Sequence, residues 1–287
     1  MVLPELLVGG VAAGAVYGLV ALGLVVVHSS SNVVNFSQGS LSAIAAYVFA
    51  AASGLPLLPA MALAVLVAAA VAGLMQATFV SWSGRFGPMN ALLVTIALLL
   101  VADSMIREIW GSRTPTFPRF LPDESFSAAS VNISVLDLAV IGVVIVTAVL
   151  FWLVMQRTSV GLVIRGTADN PRAASLMGIS PRKVSLMVWI VGGALAGIAG
   201  LLLGHLVTPR PEMGLAIVVK AFAGAVIGGF ASPLGAIAGS VLLGVTEALT
   251  AYYIGSLFQD AVPLVLIVLF LAFRPQGLVG AAVHRAV

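Results

Sequence analysis

Nine long apolar runs separated by short polar connections make up most of this chain, at about 4–27, 37–53, 56–80, 88–108, 136–156, 185–207, 215–230, 236–254 and 260–273. A helix needs about 20 apolar residues to cross the hydrocarbon core of a bilayer. Inside lipid every backbone N–H and C=O must be paired within the protein, which leaves helices as the natural reading of such runs. The second, seventh and ninth runs are short and read as half-helices or buried segments. The expected fold is therefore an all-α polytopic membrane helix bundle of eight to ten transmembrane or re-entrant helices, in one domain over residues 1–287. A soluble fold fails on charge. Only 8% of residues are charged and 61% are apolar, whereas a soluble domain carries about 25% charged residues.

The basic residues set an expected orientation, because Lys and Arg stay on the cytoplasmic side of short loops. If the connection from Arg157 to Lys183 is cytoplasmic, the same face receives Arg85, Arg274 and Arg285, against the single acid Asp169. The other face collects Arg107, Arg113, Arg119, Arg210 and Lys220 together with Glu108, Asp123, Glu124, Asp137 and Glu212. This places the N-terminus outside and the C-terminus in the cytoplasm, with an odd number of spans. The pI of 9.7 then reflects topology, and no nucleic-acid partner is expected.

Several chemistries are excluded. Cysteine is absent, so there is no thiolate ligand, disulfide or cysteine nucleophile. His28, His205 and His284 lie far apart, and no metal site is expected. Neither lysine, Lys183 or Lys220, sits in a phosphate-binding GxxxxGK[ST] loop, so the chain does not hydrolyse ATP through such a loop. The first run begins without a basic leader and contains Glu5, which reads as a retained helix.

Two connections are longer than a turn. The segment at about 109–135, with Pro115, Pro118 and Pro122, reads as an irregular extracytoplasmic loop. The segment at about 157–184 reads as a cytoplasmic loop holding a short helix, with Asn170 as its N-cap, Pro171 at its first position, and Gly178 and Pro181 closing it. Glycines at four-residue spacing (Gly10, Gly14 and Gly18; Gly193 and Gly197, then Gly200 and Gly204; Gly224 and Gly228; Gly235 and Gly239) mark close helix packing within the chain or between subunits. The glycine-rich stretch around Pro233 reads as a helix break rather than a phosphate loop, since no basic residue accompanies it.

Polar residues within the spans are the candidates for a substrate path. As a helix, SSSNVVNFSQGSLS would align Asn35, Gln38 and Ser42 on one face, either lining a path or hydrogen-bonding a neighbouring helix. Glu247 is the one carboxylate deep in an apolar run and requires a partner, a proton or a cavity. Asp103, Lys220 and Asp260 read as interfacial, and Asn90, Thr95 and Gln76 as weaker candidates for interhelical bonds or path lining.

The ordered segments GAVYGLVALGLVVVHSSSNVVNFSQG, GLVIRGTADNPRAASLMGI, KAFAGAVIGGFASPLGAIAGSVLLGVTE and FRPQGLVG resemble the Liv-type permease subunits of branched-chain amino acid ABC transporters, the LivH-like subunit in particular. The resemblance implies a multi-pass subunit of the bacterial plasma (inner) membrane, without enzymatic activity or bound cofactor of its own. It further implies a second permease subunit (LivM-like or a second copy), two cytoplasmic ABC ATPase subunits that hold ATP and Mg, and an extracytoplasmic substrate-binding protein. ABC importers dock their ATPases on a loop with an EAA-then-Gly pattern. RAASLMG fills that place here, with Arg172 instead of Glu, and assigns Arg165, Asn170, Arg172, Ala173, Ala174 and Gly178 to ATPase coupling. The cargo so implied is a branched-chain or other small amino acid, urea or a short amide. An ion-coupled secondary transporter or channel would use the same bundle without ATPases, with Glu247 or Asp103 as the coupling group. A membrane enzyme would need a convergent polar set that the sequence lacks.

Overall fold

The structure is a computed structural model describing residues 3–111, 116–118, 125–128, 131–230, 232–274 and 276–279. The nine apolar runs are nine apolar helices among the described residues: six long enough to cross a membrane and three shorter. In order they are α1 (Leu3–Ser31), α2 (Gln38–Ala51), α3 (Leu57–Met75), continuing through a π turn into α4 (Ser81–Ser83), and α5 (Pro88–Trp110). An antiparallel hairpin follows, β1 (Ser125–Ala128) with β2 (Val131–Ser134), Ala128 facing Val131. Then come α6 (Val135–Arg157), α7 (Ser159–Asp169), α8 (Pro171–Leu176), α9 (Pro181–Leu206), α10 (Met213–Gly228), α11 (Pro233–Tyr253), α12 (Ser256–Gln259) and α13 (Val262–Phe273). The hairpin corrects the expectation of a wholly irregular connection at 109–135. Arg113, Pro115, Arg119, Pro122, Asp123 and Glu124 of that connection lie outside the described residues.

α1 is the axis of the bundle, buried from Gly14 through Val27. Its glycine stripe makes this possible. A Cβ at Gly14 would fall 2.5 Å from the Ser240 carbonyl oxygen and 2.7 Å from Val241 Cα, and one at Gly10 would fall 2.9 Å from Val245 Cα. The backbones of α1 and α11 thus touch directly, the geometry that small residues permit in lipid. Gly193 and Gly197 of α9 meet Ala68, Ala69 and Val65 of α3 in the same way. Gly224 of α10 meets Ser240, and Gly228 meets Gly235. Each of these stripes is used inside the chain.

Apolar residues on the outer faces of α3, α5, α6 and α13, such as Leu66, Leu93, Ile145 and Val268, are exposed, as expected for helices whose solvent is hydrocarbon. α2 has 14 residues and α10 has 16; at 1.5 Å per residue these span about 21 and 24 Å, short of the roughly 30 Å core. α1 ends where Asn32 takes φ +52°, a left-handed conformation that Asn tolerates. Residues 32–37 then fold back, so that α2 begins inside the bundle: Gln38 reaches Gly192, midway along α9. The carbonyl end of α10 is closed from a distance, by Leu278 N–H on Ile227 O (2.8 Å) and Val279 N–H on Gly228 O (3.1 Å).

The packing puts Arg85, Arg157, Arg165, Arg172, Arg182, Lys183 and Arg274 at one end of the bundle. Arg107, Arg210 and Glu212 lie at the other, where Arg107 and Glu212 approach to 3.6 Å on the surface.

Candidate functional site

The polar segment ahead of α2 forms a buried knot. Asn35, Ser37, Gln38, Ser40 and Ser42 are each no more than 1% exposed. Asn35 Oδ1 accepts from Ser37 N (3.1 Å) and Ser37 Oγ (2.5 Å), while Asn35 Nδ2 donates to Gln38 Oε1 (3.1 Å). Gln38 Nε2 donates to the Gly192 carbonyl of α9 at 2.7 Å, and it passes over Gly23 of α1, where a Cβ would collide with it. Phe36 N–H donates to Thr95 Oγ1 of α5 (3.2 Å), and Ser40 Oγ donates to Asp103 Oδ1 (2.8 Å). These bonds satisfy backbone and amide groups that have no water to turn to. Because residues 32–37 leave the helix, the single face expected for Asn35, Gln38 and Ser42 is realised only by Gln38 and Ser42, whose hydroxyl faces Gln38 O at 3.4 Å.

A second polar centre joins α10 and α11. Glu247 is 2% exposed, and Lys220 Nζ lies 3.1 Å from each of its carboxylate oxygens. Asp260, at the surface before α13, stands 3.7 Å from the same ammonium, and the Tyr17 ring of α1 lies 5.4 Å below it. Lys220, expected at the interface, thus bridges the buried Glu247 carboxylate and the surface carboxylate of Asp260. Asp103, likewise expected at the interface, is 8% exposed and bonded to Ser40. Asn90 stands apart from both centres, exposed on α5 with its amide bonded to Phe86 O one turn back. It joins none of the other path candidates.

The third element is the surface segment between α6 and α9. Thr158 caps α7 by accepting from Gly161 N (3.2 Å), and α7 buries Gly161, Ile164 and Thr167 against the bundle. Asn170 caps α8 by accepting from Ala173 N (3.0 Å), with Pro171 in the first turn. Gly178 takes φ +80°, and Ile179 N–H closes back on Ala174 O (3.0 Å), ending the helix. Ala174 packs inward; Ala173 and Arg172 face out, and Leu176 and Met177 are 90% and 82% exposed at the tip. Arg165 lies one helix earlier, with its guanidinium on Gln156 of α6.

Among the described residues no three His, Asp or Glu side chains converge where a metal ion would sit.

The profile of the family described as branched-chain amino acid transport system, permease component, matches residues 6–271. The chain belongs to this family. The permease is 31% identical to the LivH permease protein of the high-affinity branched-chain amino acid transport system of Salmonella typhimurium, over 94% of this chain and 93% of that protein. It is 30% identical to LivH of Escherichia coli over the same shares. It is also 29% identical to the BraD permease protein of Pseudomonas aeruginosa, over 96% and 94%. The permease is a multi-helix membrane transport subunit, as the Liv-type resemblance implied.

Within the permease, the structure unites Asn35, Gln38 and Ser42 with residues the sequence offered only weakly or not at all: Thr95, Asp103, Ser37, Ser40 and the backbone of Gly192. Gln76, the isolated amide of the third run, bonds Ser185 of α9 at 2.8 Å. Polar residues placed on facing helices at equal depth were the available signal, and it takes a known helix pairing to read it.

Proposed function

We propose that the permease is one translocation subunit of an ATP-driven importer for branched-chain or other small amino acids, with urea and short amides as the neighbouring cargo class. The observation that carries this reading is α8, a capped helix of six residues that projects an apolar tip from the bundle's basic end, within a chain of the Liv-type family. The RAASLMG segment supports the assignment of coupling to Asn170, Arg172, Ala173, Ala174 and Gly178. Arg165 contributes by fixing α7 against α6. Two cytoplasmic ATPases that hold ATP and Mg dock at this end, a second permease subunit, LivM-like or another copy, completes the path, and a binding protein delivers cargo to the opposite face. The positive-inside rule supports a cytoplasmic α8 end, with the N-terminus outside, in the bacterial inner membrane. Closure of the ATPases on ATP pushes α8, and rigid helices move together to switch the side to which the path opens. An ion-coupled transporter is disfavoured, because Glu247 is already paired with Lys220.

Uptake of radiolabelled leucine into proteoliposomes containing the full complex tests the proposal. Uptake should require ATP on the α8 side and be abolished by Gly178→Leu, since φ +80° is strained for any residue with a Cβ. ATP-independent uptake that survives the substitution overturns it.

A further inference from the structure

A groove of about 560 Å3 opens between α1, α6, α7 and the start of α11. Three of its walls share one gradient. The lining runs from Leu22 to Ser29 along α1, from Phe151 to Gln156 along α6, and from Ile237 back to Ser232 along α11. Each series passes from apolar to polar toward the same end of the bundle, the end crossed by α7. There α7 adds Arg165 and Asp169, opposite charges one helical turn apart on one face. Trp152, on the groove wall, is 40% exposed. Its amphipathic ring suits the boundary between hydrocarbon and headgroups.

A space that is apolar at depth and carries one charge of each sign at its mouth is complementary to an amphiphile with a zwitterionic head. We propose that this groove holds one ethanolamine-type phospholipid of the leaflet on the α8 side. An acyl chain lies against Phe151, Trp152 and Ile237, the phosphate meets Arg165, and the ammonium donates to Asp169. The volume falls within the roughly 300–1,000 Å3 of ligand pockets. Charge selects the head. A glycerol-phosphate head brings only negative charge, leaving Asp169 opposed by like charge, and a choline head has no N–H to donate. Gln156 holds the Arg165 guanidinium in position, so the site does not have to order a free side chain.

Quenching of Trp152 by phospholipids brominated along the acyl chain tests this, with the full complex in detergent and the Trp152 signal taken as the difference between the wild type and Trp152→Phe. Brominated phosphatidylethanolamine should quench at a lipid fraction about five-fold below brominated phosphatidylglycerol, the factor expected for one charge contact near a membrane surface, and by a similar factor below brominated phosphatidylcholine, for the hydrogen bond a choline head does not make. Arg165→Ala with Asp169→Ala should bring the three lipids level, and Ala148→Phe, at the deep end, should abolish the selective quenching. Equal quenching by all three lipids in the wild type overturns the proposal, as does preference for phosphatidylglycerol or a preference that survives the double substitution. The lipid comparison in the wild type requires only the conservative Trp152→Phe reference to fold.

Discussion

Lys220 and Glu247, 27 positions apart, meet across the α10–α11 contact with the ammonium 3.1 Å from both carboxylate oxygens, the lysine side chain 13% and the glutamate side chain 2% exposed. A pair this dry behaves asymmetrically. Losing one partner strands a charge, at about 3–5 kcal/mol, whereas replacing both with apolar residues of similar volume is often neutral. Lys220→Met alone and Glu247→Leu alone should each lower the thermal midpoint of the purified permease by many degrees, and the double substitution should recover most of the loss. Additive losses in that cycle would show that the two residues do not act as a pair.

The α1–α11 crossing predicts a contrast between two helical glycines. At Gly14 a methyl group would meet Ser240 O at 2.5 Å, while at Gly142 on α6 it would meet nothing within 4 Å. Gly14→Ala should reduce the yield of folded, monodisperse protein. Gly142→Ala should be neutral or favourable by about 0.5–1 kcal/mol through helix propensity. Size-exclusion profiles and thermal midpoints of the two variants decide the matter.

Gln38 is a bridge whose two ends are both buried. Gln38→Leu strands the buried Asn35 amide, at about 1–3 kcal/mol, and removes the side-chain bond to the Gly192 carbonyl of α9. The expected outcome is a lower thermal midpoint together with faster amide exchange at residues 33–38 by hydrogen–deuterium mass spectrometry. Unchanged exchange there would show that the knot does not depend on Gln38.

The tip of α8 should separate stability from coupling. Leu176 and Met177 are almost fully exposed, so Leu176→Asp with Met177→Asp should leave the thermal midpoint of the permease unchanged. ATPase subunit retention should fall, since a buried apolar anchor contributes about 2 kcal/mol to an interface. Pull-down of the ATPases by tagged permease measures this, and undiminished retention would remove α8 from the docking surface.

The nine apolar helices were legible in the sequence because a membrane segment announces itself by length and apolarity alone, and the cap and stop of α8 were legible because Asn170, Pro171 and Gly178 act locally. The pairings were not. Lys220 lies near the end of its run and read as interfacial, since its partner Glu247 is brought to it only by the packing of Gly224 and Gly228 on Ser240 and Gly235. Periodicity reveals that a glycine stripe will meet something, but not which helix. Asn35 was placed on a helix face because the polar run looks continuous with α2. The left-handed turn at Asn32 is a single-residue event that leaves no periodic trace.

The start of α2 inside the bundle has an electrical consequence. Every group that closes the break between α1 and α2, from Asn35 and Gln38 to Thr95 and the Gly192 carbonyl, is formally neutral. A full charge at that depth would exchange energy with the transmembrane voltage, up to about 2.3 kcal/mol per 100 mV for a complete crossing. The bonds across residues 32–38, made by amides, hydroxyls and backbone, do not, and the Asp103 carboxylate touches the knot only beyond them, through Ser40. The turn between α1 and α2 is therefore held by groups that carry no net charge for the voltage to act on.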